Sequence, residues 1–83
     1  MNIVKSDIVF IVDKGETQAC CTVRSISGDK ATVVTGDGRV LAVPLSILIT
    51  DDDAATLLRS IPQCRMHRAK FTYTEGQGWS ISY

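Results

Sequence analysis

The sequence predicts a mainly β protein with one short α-helix: a small barrel of about five strands over residues 6–48, a helix over 51–61 and a C-terminal β-hairpin over 69–83. Three observations carry this. Short β-branched and aromatic runs are separated by glycine-bearing turns through the first half of the chain. An apolar stripe of helical spacing follows the run Asp51-Asp52-Asp53. Two alternating segments, "KFTYT" and "WSISY", flank Glu75-Gly76-Gln77-Gly78. At 83 residues the chain is one domain, 1–83, of a size at which a single core leaves little net stability.

The elements follow in order. Ile8 to Val12 is an opening strand ending at Asp13-Lys14-Gly15, and Gln18 to Ile26 is a second ending at Ser27-Gly28-Asp29. Ala31 to Thr35 and Arg39 to Val43 form a hairpin about Gly36-Asp37-Gly38, where glycine supplies the positive φ that a tight turn requires. Pro44 has no N–H to continue a ladder, and "PLSIL" suits a 3₁₀ turn. Asp51–Asp53 provide carboxylates that cap and complement a helix N-terminus. Ala54, Leu57, Leu58 and Ile61 fall at i, i+3, i+4 and i+7, and Pro62 ends the segment. In the last hairpin Phe71 and Tyr73 share a face, as do Trp79, Ile81 and Tyr83. The first strand is apolar on both faces, with Ile8, Phe10 and Val12 on one and Val9 and Ile11 on the other, and Val40–Val43 is likewise two-sided. One face suffices for a barrel, so the second must be covered by the helix, the hairpin or another chain.

Composition narrows the function. Apolar residues make up 45% and charged residues 22% of the chain, and nine basic residues balance nine acidic ones, so no long-range field draws it to nucleic acid. The charge is uneven: residues 1–50 are neutral, Asp51–Asp53 contribute −3, and the remainder contributes +3. The apolar run after Lys5 and Asp7 is too short for a signal-peptide core or a membrane span. Three cysteines form no disulfide framework, and reduced thiols suit a cytoplasmic protein.

Residues 6–48, "SDIVFIVDKGETQACCTVRSISGDKATVVTGDGRVLAVPLSIL", resemble an SH3-like small barrel of the KOW or Tudor kind. The ending "RVLAVPLSIL" is similar to the end of the KOW-like segment in MutS-family recombination-suppressor ATPases. The resemblance implies the order strand, long first loop, strand, short turn, strand, glycine turn, strand and 3₁₀ turn. It implies no one function, since small barrels host many. Such modules carry their last strand directly after the 3₁₀ turn, where this sequence places a helix. Type II dihydrofolate reductase, built on a related barrel, uses a Val-Gln-Ile-Tyr strand before proline. Val40-Leu41-Ala42-Val43 lacks those polar and aromatic groups, which argues against that activity.

Candidate sites are few. Adjacent Cys20 and Cys21 point to opposite faces of a strand and make a poor redox pair. Cys64 and His67 have a Cys-x-x-His spacing but no second chelating pair, so no metal or other cofactor is expected. A Cys64–His67 nucleophile and base pair lacks an orienting group. The one notable cluster is Arg59, Arg65, His67, Arg68 and Lys70 beside Tyr73, Trp79, Phe71 and Tyr83. Arginines fork to phosphates and aromatic rings stack on bases, which would suit single-stranded nucleic acid; the same set would suit a protein partner. The plainer reading gives the aromatic residues to the core or an interface. The sequence therefore predicts a non-enzymatic binding or adaptor module working through protein–protein contact and self-association as a dimer or higher homo-oligomer. Weak nucleic-acid binding through the basic segment is the alternative.

Overall fold

The computed structural model describes residues 3–83, so the first two residues of the expected 1–83 unit lie outside the described residues. Strand β1 (Ile8–Asp13) turns directly into β2 (Glu16–Ser27) through Lys14 and Gly15, whose φ angles are +53° and +80°. Two successive left-handed residues make the tight hairpin turn whose twist matches its strands. The long first loop implied by the resemblance is thus replaced by a two-residue turn.

β3 (Lys30–Thr35) and β4 (Val40–Pro44) follow, then a 3₁₀ turn at Leu45–Ile47 and a short β5 (Leu48–Thr50). The five strands form one antiparallel sheet in the order β4-β3-β2-β1-β5. β2 carries register irregularities opposite Ile11/Val12 and between Val23 and Ser25, each leaving one residue unpaired. Such bulges bend a strand and sharpen its twist, which lets the long β2 curve with the sheet. β4 and β5 stay as edges and do not pair with each other, so the sheet is not closed into the expected barrel. Pro44 ends β4 without a donor, and β5 is only three residues long before the helix begins.

β5 is the element that the sequence does not announce. Leu48 and Ile49 are both buried, on opposite faces, so their strand shows no polar alternation. It pairs with β1 through Val9↔Thr50, Phe10↔Ile49 and Ile11↔Leu48. The final strand thus does follow the 3₁₀ turn directly, and the helix comes after it.

The two-sided character of β1 and β5 is resolved by two apolar clusters. Inside the sheet, Val9, Cys21, Val23, Ala31, Val33 and Leu48 are buried, with Ile11, Leu41 and Val43 packed against them. Outside it, Val12, Ile49, Ala54 and Phe71 are buried together with half-buried Phe10, Leu57, Leu58, Trp79 and Ile81. Helix α1 (Asp51–Arg59) supplies the alanine and leucines, and the hairpin β6 (Lys70–Thr74) and β7 (Gly78–Ser82) supplies the aromatic face. The cap of α1 is Thr50 and not the aspartates: its hydroxyl accepts from the Asp53 N–H at 3.1 Å, and Asp51–Asp53 occupy the first turn, where their charge complements the helix dipole. The connection from α1 to β6 contains a 3₁₀ segment at Gln63–Arg68.

Two hydrogen bonds to backbone carbonyls fasten the hairpin to the sheet at points far apart in sequence. Phe71 N–H donates to the Gly15 carbonyl at 2.8 Å, and the Trp79 indole N–H donates to the Leu48 carbonyl at 2.9 Å. Gly15 is needed for space as well as for φ, because a Cβ there would lie 3.0 Å from Lys70 Cβ.

Candidate interaction surfaces

The cationic and aromatic residues grouped in sequence separate in space. Arg59 is exposed at the last turn of α1, its Nε donating to the Ala55 carbonyl at 3.2 Å. Arg65, His67 and Arg68 are exposed on the 3₁₀ segment, where the three-residue spacing puts Arg65 and Arg68 on one side. Lys70 is already engaged, with Nζ 2.9 Å from Glu16 Oε1. That hydrogen bond, with the attraction of the ammonium, holds the Glu16 carboxyl below its ordinary pKa.

Tyr73 and Trp79 pair across the hairpin, on the face opposite Lys70. Trp79 meets Phe71 edge-on at 6.5 Å and Tyr73 at 5.4 Å. The indole N–H is spent on Leu48, and both Tyr73 and Trp79 are half-buried. The shallow groove beside their rings is lined by Asp53, Thr56, Leu57 and Gln77 and by no cation. Met66 and His67 line a different groove with Phe10, Glu16 and Leu58. Of the aromatic residues in this third of the chain, Tyr83 alone is largely exposed. A ring stack beside a row of phosphate-binding arginines is therefore not assembled on one surface.

Among the described residues, no group of three or more His, Cys, Asp or Glu side chains converges as a metal site. Cys20 and Cys64 are exposed, whereas Cys21 is buried and its thiol pKa is raised, first by burial and then by neighbouring Cys20. In the β3–β4 turn the Thr35 hydroxyl donates to Asp37, and Arg39 Nε lies 3.1 Å from Asp37 Oδ2. Those two contacts, the hydroxyl first, lower the Asp37 pKa and tie the turn. No described helix is long and apolar enough to cross a membrane.

A different surface stands out, one that the pattern of two-sided strands signals without locating. Ile8, Thr22, Val34 and Val40 are successive partners across β1, β2, β3 and β4, so their side chains form one row on the outer face of the sheet. Helix α1 and the hairpin cover this face at Phe10 and Val12 but stop short of the row. Ile8 is 51% and Val40 53% exposed, and neighbouring Cys20 is exposed too. A mostly apolar groove of about 510 Å³ runs along Ile8, Thr22 and Val34, and Lys5 and Arg24 also line it. On the other side of Ile8 a second groove is lined by Asp7 and by Asp51, Asp52 and Asp53. Compared with known protein families, curated proteins and solved structures, the chain matches none.

Proposed function

We propose that this chain is a non-enzymatic interaction module that works through protein–protein contact and associates with itself. The observation that carries the reading is the uncovered, largely apolar row on the outer sheet face, in which Ile8 and Val40 are each half exposed and Thr22 and partly exposed Val34 lie between them. A protein of this size gains by burying such a row, and contiguous exposed apolar surface marks interaction sites. The strand order, with a 3₁₀ turn between β4 and β5, supports the SH3-like resemblance at the level of architecture. Three unpaired thiols fit a reducing compartment, the cytoplasm.

Nucleic-acid binding is the weaker reading, because the rings that would stack on bases are engaged within the hairpin and the groove beside them holds one carboxylate and no cation. Sedimentation velocity over a range of micromolar concentrations tests the proposal. A species heavier than the 9.0 kDa chain, growing with concentration, is the expected result; a monomer throughout refutes self-association.

A further inference from the structure

The two grooves that meet at Ile8 carry opposite charge. Toward β5 lie Asp51, Asp52 and Asp53, and toward β2 lie Lys5 and Arg24. Among the described residues, the ion pairs are Arg39–Asp37 and Lys70–Glu16, so none of these five is paired within the chain. Lys5 is not on a loose end. It sits in a turn closed by Asp7 N–H to the Val4 carbonyl at 3.1 Å and by Val4 N–H to Asp7 Oδ2 at 3.0 Å. The turn is pinned to β2, since Ser6 N–H donates to the Val23 carbonyl at 2.8 Å and Val23 N–H to the Asp7 carbonyl at 2.9 Å.

An apolar centre with acid on one flank and base on the other is self-complementary under a two-fold rotation. Resting on the self-association proposed above, we infer that a second copy of this chain docks face to face across Ile8, with Asp51 and Asp52 of each chain against Lys5 and Arg24 of the other. The symmetry is isologous, so one patch serves both chains, and each charge contact occurs twice. Ile8 meets its own copy near the axis, and the partner covers the groove along Thr22 and Val34. A standard interface takes about 800 Å² per partner, which here is roughly a seventh of the 5505 Å² surface. The opposed charges set the register and speed the encounter, and the apolar centre supplies the larger share of affinity.

The test is a charge swap. One variant carries Lys5→Glu and Arg24→Glu, making both flanks acidic; the other carries Asp51→Lys and Asp52→Lys, which puts cations at the two docking positions of the acidic flank and leaves Asp7 and Asp53 beside them. Each alone should dimerise at least about tenfold more weakly than the parent, while an equimolar mixture should restore a heterodimer, because both contacts are again acid against base. Far-UV circular dichroism checks that each variant is folded. Ile8→Thr, a strand-compatible change at an exposed position, is a second arm and should weaken the dimer with little change in the melting temperature measured at concentrations where the parent is monomeric. A parent that stays monomeric overturns the self-association reading itself. A parent that dimerises, with swap variants or Ile8→Thr dimerising equally well or a mixture that restores nothing, overturns this interface and leaves self-association standing.

Discussion

The two apolar clusters of this protein are built in different ways. Inside the sheet, every buried member is at most 2% exposed, and all are aliphatic or cysteine side chains supplied by strands that are neighbours in the ladder. Outside it, Val12 and Phe71 each keep 8% exposure, and the contributors come from a helix, a hairpin and the backs of two strands. The inner cluster is assembled by the backbone pairing that creates the sheet. The outer one joins residues dozens of positions apart and depends on a few specific fastenings. Local stability should follow this division, with the sheet as the firmer unit and the helix–hairpin layer as the looser one.

The largest test of that contrast is Leu48→Ala. Leu48 is fully buried in the inner cluster, and its removal should cost about 2–5 kcal/mol through lost transfer energy and the cavity left behind, read by urea denaturation. If the contrast holds, amide exchange accelerates throughout the chain in this variant. Gly15→Ala acts at the seam instead. It forces a Cβ into left-handed backbone and against Lys70, and should cost about 1–2 kcal/mol, with exchange accelerating first in β6 and β7. Equal acceleration in β3 would show that the two layers open together.

Trp79→Phe keeps an aromatic ring but removes the pyrrole half of the indole, and with it the N–H that holds the Leu48 carbonyl. A loss of about 1 kcal/mol in thermal or urea unfolding is expected. The smallest effect concerns pH. Asp37 and Glu16 both have lowered pKa values in the folded protein, so their contribution is present above the unfolded-state pKa and is lost as pH falls through the folded one. Both are exposed. Asp37→Asn, in the inner layer's β3–β4 turn, and Glu16→Gln, at the seam with Lys70, should each flatten the acid limb of a melting-temperature profile slightly. A steeper limb in either variant contradicts the assignment.

Local chemistry made much of this architecture legible. The stripe Ala54, Leu57 and Leu58 does face the outer cluster, and "KFTYT" and "WSISY" do pair as a hairpin. Tight turns were readable where glycine marked them. What escaped was short or non-local. β5 holds three residues with no alternation, too few to separate from the 3₁₀ turn before it. The bond from Phe71 to Gly15 joins positions whose residue types announce no partner. The candidate cluster failed for a geometric reason: alternation along β6 places Lys70 and Tyr73 on opposite faces, so closeness in sequence became separation in space. The uncovered row was half visible, since two-sided strands demanded a cover, but only the structure places the helix and hairpin over Phe10 and Val12 and not over Ile8 and Val40.

Trp79 is the sole tryptophan of the chain, and its indole sits on the boundary between sheet and hairpin, bonded to a carbonyl in β5. The molecule thus carries a single indole, whose emission can be excited apart from that of its two tyrosines, at the junction of its two layers. Its emission wavelength and quenching by iodide register the separation of the layers, whereas far-UV circular dichroism is dominated by the strands of the sheet. When the fluorescence and dichroism midpoints coincide, the protein unfolds as one unit; when fluorescence changes first, the hairpin has departed from an intact sheet. One optical cuvette can therefore distinguish a single cooperative fold from a sheet carrying a detachable cover.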